Sequence, residues 1–438
     1  MRVNRRLVLL GVAGFAAMGR AVEAHPNIST SVLQDWYGLI LNLVRHTATY
    51  SPPVASRAFA YLGVTVYEAV ASGSSKLQSL SGQLNGLTEV TQRKAGVVYD
   101  EAAVLNGALA YAAQNFFSNT GPTGQRAMAA TAVDIQKRVA AGVPHKTMKR
   151  STAFGETIAK HILDWSMNDG GAHVENLGFP ETYELNKQPG HWVPTNTQDL
   201  QQRPLLPKWG ENRPFAMPKG TSCTLPPPLA YSEDKASPFY AEAKEVFDTR
   251  NNLTAEQKII ARFWSDDPML SPTPPGHWVG IALSIFERDH LSIEKRVDVL
   301  ARLGVAVADA FIGCWQVKFQ YDLLRPITYI RKLMDPKWDA LLITPPFPEY
   351  PSGHSVQSGA AAAVLTAVFG EHFAFEDSVH EKDGLGVRKY PDFWSAAQDA
   401  AMSRLYGGIH FRAAVERGLD QGRCIGAYAA ALKTEKKS

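Results

Sequence analysis

Three short segments in the last third of the chain carry side chains that could hold an oxyanion. They are Lys318–Pro326, Pro351–His354 and Ser403–His410. Together they supply a lysine, two arginines, a serine hydroxyl, a glycine amide and two histidines. Cations and hydrogen-bond donors of these types neutralise the oxygens of phosphate-like anions, and histidine adds acid–base or covalent chemistry near neutral pH. The combination predicts an oxyanion site that can catalyse a reaction.

The first segment places two cations seven residues apart. Lys318 and Arg325 would lie almost two turns apart on one helix and would point the same way, while Pro326 would end or kink that helix. The pair predicts an anion clamp, in which arginine offers a planar fork suited to phosphate-like oxygens. Taken alone, the same pattern would describe an ordinary solvated basic face.

The second segment predicts the start of a helix. Ser352 is a natural N-cap residue, Gly353 lets the backbone approach a ligand, and His354 lies beside them. Free amides at a helix N-terminus favour anions, and a neighbouring histidine can act as acid or base. Alone, this segment would be a simple capping turn.

The third segment predicts a broken helix. Arg404 and His410 would face different sides of a continuous helix, but Gly407 and Gly408 lie between them. A double glycine can interrupt the helix and let both side chains converge. The alternative is a helix–helix connection with a buried structural histidine.

The joint pattern KxxxxxxRP, PSGH and SRxxxGxH resembles the motif shared by vanadium-dependent haloperoxidases and type 2 phosphatidic acid phosphatases, a superfamily that includes bacterial class A acid phosphatases. The likeness covers about residues 255–430, and Trp209–Phe215 is similar to the soluble, exported bacterial haloperoxidase-like branch. The resemblance implies that His410 bonds vanadium, or phosphorus in a phosphatase, and that His354 is the acid–base residue. It further implies that oxyanion oxygens are bound by Lys318, Arg325, Ser352, Gly353 and Arg404, with Lys318 also catalytic because it polarises the peroxide.

Flanking residues favour the peroxidase branch. Trp315 and Phe347 match aromatic halide-pocket positions of chloroperoxidase-like members, and Asp267 matches the carboxylate that pairs with the second motif arginine, Arg404. One departure concerns the aspartate that orients the histidine in many members, because position 414 is alanine here. Glu416 or a backbone carbonyl is the expected replacement.

The function implied is a vanadium-dependent haloperoxidase that oxidises halide with hydrogen peroxide to hypohalous acid. Its cofactor would be vanadate, with neither haem nor zinc, and its partners would be peroxide, a halide ion and optionally an organic acceptor. An exported acid phosphatase with a phosphohistidine intermediate is the alternative, and a non-enzymatic oxyanion-binding protein is a third reading.

The elements that position these residues are predicted to be helical throughout. The 3.6-residue apolar spacing indicates an all-α fold with two helical bundles, at 25–169 and 236–438, joined by a Pro-rich segment at 170–235. That segment is expected to be either an ordered crossing or a plain linker. The active site is expected in the C-terminal bundle.

Composition and the N-terminal segment limit which classes of protein remain possible. The 438 residues carry a net charge of only +3, which gives no indication of nucleic-acid binding. Residues 1–24 have the basic and apolar regions of an export signal, read by the Sec or twin-arginine route, so a periplasmic or secreted protein without a membrane span is expected. Three cysteines allow one disulfide at most. A homodimer is compatible with a helical enzyme of this size.

Overall fold

The computed structural model describes residues 28–174, 183–195 and 203–436. The predicted export signal lies outside these residues. Within them the all-α prediction is confirmed, with one short antiparallel hairpin of β1 (Phe375–Asp377) and β2 (Arg388–Tyr390) added. The helices are α1 (Ile28–Arg45), α2 (Pro52–Ala71), α3 (Glu101–Phe116), α4 (Gly121–Ala140), α5 (His145–Ser166), α6 (Gly171–Val174), α7 (Pro238–Asn251), α8 (Ala255–Phe263), α9 (Thr273–Arg288), α10 (Ile293–Tyr321), α11 (Pro326–Leu333), α12 (Gly353–Phe369), α13 (Phe393–Tyr406) and α14 (Arg412–Ala430).

Local capping explains where several of the C-terminal helices begin. The side chains of Ser292, Ser352 and Asp392 each accept a hydrogen bond from a backbone amide in the first turn of α10, α12 and α13. Helix α8 begins with a reciprocal capping box between Thr254 and Gln257. Such caps satisfy amides that a helix leaves without partners, and each typically contributes about 1 kcal/mol.

Helix α10 lies at the centre of the molecule and carries the first functional segment at its C-terminal end. It packs against α2, where a methyl group added at Gly63 would lie 2.6 Å from the carbonyl oxygen of Leu300. Helices α12 and α14 are equally close, since a methyl group at Gly422 would lie 2.1 Å from the carbonyl oxygen of Val356. These contacts between backbones fix the helices that carry the candidate site.

The described part of the Pro-rich segment is an ordered crossing and not a free linker. Trp209 and Phe215 are buried in the main apolar core. The buried Asp309 of α10 accepts hydrogen bonds from three consecutive amides that begin at Phe215. A disulfide between Cys223 and Cys424 joins the segment to α14, which agrees with the expected limit of one.

One apolar cluster contains residues of both predicted bundles, including α1 and α14, whereas residues of α7 and α11 belong to a second cluster. The boundaries at 169 and 236 therefore stay a prediction. Among the described residues, none of the helices has the length and apolar character that a membrane crossing requires.

Candidate active site

The three predicted segments meet at one buried location. Lys318 lies in the last turn of α10, Arg325 precedes α11, Ser352 precedes α12, and Arg404 and His410 flank the turn between α13 and α14. The sequence spacing suggested that the first segment forms one helix, but the structure divides it between two helices. Helix α10 ends at Tyr321, the next residue, Asp322, has a left-handed backbone (φ 47°), and Arg325 is extended. Pro326 therefore begins a new helix, which suits its fixed φ and missing N–H.

Lys318 is fully buried and bonds to the loop of the second segment. Its Nζ donates to the carbonyl oxygens of Pro348 at 2.8 Å, Glu349 at 3.0 Å and Pro351 at 2.5 Å. Burial lowers the pKa of Lys318 to about 7, while the three carbonyl acceptors require its protonated form. In this arrangement the lysine holds the loop beneath the site, and its predicted contact with an oxyanion stays a prediction.

The two arginines leave buried donors pointing into the site. Arg325 donates from Nε to the Phe347 carbonyl and from Nη1 to the Ile409 carbonyl, each at 2.9 Å. Its Nη2 has no partner among the described residues. Arg404 donates from Nη1 to the Trp264 carbonyl at 3.0 Å, and its Nε also lacks a partner there. Unpartnered buried guanidinium nitrogens are costly unless an anion fills the site.

The helix start at Ser352 has the predicted geometry. Its Oγ accepts from the amide of Ser355 at 3.3 Å, and its own amide donates to the Ala414 carbonyl at 3.1 Å. A methyl group at Gly353 would make only ordinary contacts with Trp315 and Phe311. Neighbouring protein atoms therefore do not require glycine at this position, which leaves close approach of a ligand as a reason for it.

His354 lies in the first turn of α12 with a buried Nε2 that has no partner among the described residues. Burial, reinforced by the positive charge of Arg404, lowers its pKa well below the usual value. The ring is therefore neutral and presents a free nitrogen. This is the state that a general base needs.

The double glycine breaks the third segment as predicted. Helix α13 ends at Tyr406, and Gly408 adopts a left-handed conformation with φ 76°. The chain reversal brings His410 next to Arg325, whose Nη1 lies 3.1 Å from Nε2 of His410. Burial and the cations around it lower the pKa of His410 well below its usual value.

Glu349 orients His410 and was missed by the sequence analysis. Its Oε1 lies 2.8 Å from Nδ1 of His410 and accepts from the Phe411 amide at the same distance. Burial raises the pKa of Glu349 to about 8, against the opposing charges of Arg325 and Lys318. Glu416, one of the two expected replacements beside a backbone carbonyl, instead pairs with Arg412. The available signal was an acidic residue three positions before Ser352.

The two aromatic residues predicted to line a halide pocket are in contact with each other. The rings of Trp315 and Phe347 are 4.9 Å apart, and Nζ of Lys318 lies 5.1 Å from the Phe347 ring centre. Trp315 donates from Nε1 to the Leu205 carbonyl at 3.0 Å, so the Pro-rich segment borders the site. A halide role for these rings stays a prediction.

Asp267 is near Arg404 but forms no direct ion pair with it in the described structure. Burial lowers the pKa of Arg404 to about 10. The negative charge of Asp267 is the strongest influence that opposes this lowering. Burial in turn raises the pKa of Asp267. The two groups therefore interact through space, without the hydrogen-bonded pairing that the sequence predicted.

Comparisons with known proteins agree on one family. Residues 298–436 match the family described as the VCPO second helical-bundle domain. The chain is 23% identical over 342 residues to vanadium chloroperoxidase of Curvularia inaequalis, a match that spans 60% of this chain and 56% of that protein.

Solved structures extend the likeness over nearly the whole chain. The first bacterial vanadium-dependent iodoperoxidase superposes with a TM-score of 0.86 and 36% identity, covering 93% of this chain and 98% of that one. A holo-type bacterial vanadium-dependent chloroperoxidase has a TM-score of 0.68 and 16% identity, covering 88% of this chain and 92% of the other, and supports the fold alone.

Proposed function

The chain belongs to the vanadium haloperoxidase superfamily, and on that premise we propose that it oxidises a halide with hydrogen peroxide to hypohalous acid. The observation that carries the proposal is the pair of unpartnered buried donors, Nη2 of Arg325 and Nε of Arg404. They lie in a site that also contains a neutral, oriented His410. Iodide is the first halide to test, because the relative at 36% identity is an iodoperoxidase.

The residues of the site fit vanadate. A tetrahedral oxyanion would accept hydrogen bonds from Arg325 and Arg404, and the amide of Gly353 at the positive end of α12 would add a donor. His410, with Nδ1–H held by Glu349, directs its Nε2 lone pair to the same place. Bound vanadate would act as a Lewis acid that activates peroxide toward the halide.

His354 supplies the proton transfer. Its neutral Nε2 can accept the proton that hydrogen peroxide loses on binding and return a proton to the oxygen that leaves as water. The overall reaction, halide plus peroxide plus one proton giving hypohalous acid and water, is then balanced. Lys318 keeps the Glu349 loop in place during these steps through its three carbonyl contacts.

Trp315 and Phe347 give the halide an apolar wall next to two cations. The guanidinium carbon of Arg325 lies 5.0 Å from the centre of the Phe347 ring. A large, weakly hydrated anion is suited to such a surface, since little hydration free energy is lost there. An organic acceptor would meet the hypohalous acid after its release.

Export is part of the proposal. The Cys223–Cys424 disulfide is of a kind that persists in oxidising compartments, which supports a periplasmic or secreted location after removal of the predicted signal. A homodimer also belongs to this proposal.

The test is a paired assay of the mature protein. Protein loaded with orthovanadate is given iodide or bromide with peroxide, and vanadate-free protein is given a chromogenic phosphate ester. We expect oxidation that requires vanadate and is lost in His410→Ala, while Glu416→Gln, on the surface, retains it. Phosphate ester hydrolysis inhibited by vanadate, without halide oxidation, would contradict the proposal and favour the acid phosphatase.

A further inference from the structure

A second buried cluster lies beside the oxyanion site and takes no part in the proposed chemistry. It consists of Asp266, in the loop after α8, His277 of α9 and His380, which follows β1. The side chains of Asp266 and His277 are fully inaccessible, and that of His380 is 5% exposed. Histidines and carboxylates are seldom buried together without a partner that balances their charge.

The two imidazole rings converge on one carboxylate. Nδ1 of His277 lies 2.9 and 3.0 Å from the two oxygens of Asp266, and Nε2 of His380 lies 3.1 Å from its Oδ1. One ligand atom from each of the three residues falls within 4.8 Å of the others. This separation is compatible with three ligands of one ion, since bonds of about 2 Å place neighbouring ligand atoms roughly 3 Å apart.

The outward nitrogen of each ring is held by a further carboxylate. Nε2 of His277 lies 2.8 Å from Asp377, and Nδ1 of His380 lies 2.9 Å from Asp383. A carboxylate accepts a hydrogen bond, so both outward nitrogens carry hydrogen. The inward nitrogen of each ring faces the Asp266 carboxylate at 2.9–3.1 Å, so a positive charge must lie between them, either a proton on each ring or one metal ion. Metal-binding histidines commonly have this carboxylate–histidine pairing behind them.

The number of negative charges in the cluster gives the charge of that cation. Three carboxylates meet in the cluster, and Arg45 neutralises one of them through its ion pair with Asp383. Two negative charges remain in an environment walled by Phe263 and by Trp264, whose ring stacks on His277 with centres 4.2 Å apart. One divalent ion restores neutrality.

We propose that Asp266, His277 and His380 bind one divalent transition-metal ion at a site separate from the oxyanion site. Imidazole and carboxylate ligands suit zinc, with Asp266 able to supply both oxygens. Zinc was not expected from the sequence, and positions 266, 277 and 380 lack the short spacing of known zinc motifs. The ion would fasten the loop of residues 264–272, which carries Asp267, to α9 and to the hairpin.

Metal content of the intact protein tests this proposal. The mature protein is produced in minimal medium with added Zn²⁺ or Co²⁺, washed with chelator and analysed for zinc, cobalt and vanadium by mass spectrometry. We expect about one zinc or cobalt per chain, with tetrahedral-type visible absorption for cobalt. His410→Ala should lose vanadium and keep this ion, which separates the two sites.

Variants of the cluster distinguish an ion that these three side chains bind from an ion that is present by chance. His380→Asn should lose the ion, and Asp383→Asn, which keeps all three ligands, should weaken its retention against chelator about tenfold. The matched control is His290→Asn, because His290 is exposed and has a left-handed backbone (φ 49°) that asparagine tolerates. The proposal would be overturned if wild-type protein lacked stoichiometric zinc or cobalt both after expression and after refolding with the ion. In that case two protons, and not a metal ion, lie between the histidine rings and Asp266. Retention of the ion by folded His380→Asn would overturn it as well.

Discussion

Glu349 accepts a hydrogen bond of 2.8 Å from Nδ1 of His410, although Glu349 lies just before the second motif segment and His410 ends the third. The carboxylate that orients the histidine thus comes from the loop before α12 and not from the helix that follows His410. This contact explains how Ala414 can stand where many family members have aspartate. It also fixes the tautomer that leaves the Nε2 lone pair toward the oxyanion site.

Removing the charge of Glu349 should weaken vanadate binding. Glu349→Gln keeps an oxygen acceptor for His410 and for the Phe411 amide, so the ring keeps its position; in titrations above about pH 8, where Glu349 is ionised, it loses the negative charge behind it. We expect the Kd for vanadate to rise about tenfold, and up to about a hundredfold in Glu349→Ala. Vanadate titration of the purified variants measures both. The Glu416→Gln control should bind like wild type, and unchanged affinity in Glu349→Ala would show that another group orients His410.

Lys318→Met should destabilise the protein even without vanadate. The substitution leaves the carbonyl oxygens of Pro348 and Glu349 without this donor and that of Pro351 with only the weak thiol donor of Cys314, and each unsatisfied buried group costs about 1–3 kcal/mol. We expect the free energy of unfolding to fall by about 3 kcal/mol or more, measured by urea denaturation of vanadate-free protein. Lys337→Met, at an exposed lysine, is the control. Equal stability of the two variants would mean that the lysine contributes only to ligand binding.

Arg404→Lys should weaken oxyanion binding because lysine lacks the planar fork of arginine. The buried Nε of Arg404 has no partner to lose among the described residues, so we expect its loss to act on the ligand. A charge-assisted hydrogen bond contributes about 1.5–3 kcal/mol, which corresponds to a rise in Kd of roughly 10- to 150-fold. Phosphate and vanadate titrations should both show it, whereas Arg262→Lys, at an exposed arginine, should not. Wild-type affinity in Arg404→Lys would remove Arg404 from the binding site.

The stability of the vanadate-free protein should fall in acid partly because of His354. Burial holds its folded-state pKa below the ordinary value of 6.5, so below about pH 6.5 the unfolded chain binds a proton that the folded chain does not. Each such histidine contributes a slope of up to about 1.4 kcal/mol per pH unit. His354→Gln should reduce the slope of unfolding free energy against pH in this range. His372→Gln, at an exposed histidine, should leave the slope unchanged, and equal slopes in all three proteins would contradict the assignment.

The sequence predicted the parts of this structure that local patterns determine. Apolar periodicity predicted the all-α fold, and the glycine pair predicted the turn between Arg404 and His410. The break after Tyr321 was missed because it depends on Asp322 adopting a left-handed backbone, which residue type alone does not require.

Contacts between distant residues could not be read from the sequence. Glu349 reaches a histidine 61 positions away, and His277 reaches Asp377 across 100 positions. Neither pair has a characteristic spacing, because tertiary packing brings them together, the loop before α12 against the start of α14 in the first pair and α9 against β1 in the second. The types of residue in the site were therefore predictable, whereas the partner of each one was not.

The loop of residues 347–352 combines tasks that could have been divided among separate elements. Its six residues include the aromatic ring of Phe347, the Glu349 carboxylate that bonds to His410 and the Ser352 cap of α12. Lys318 donates hydrogen bonds to the carbonyl groups of this loop. An insertion or deletion there would disturb all of these together, so we expect its length to vary little among close relatives of this chain. A search for relatives that demands an acidic residue four positions after the histidine would overlook proteins built in this way.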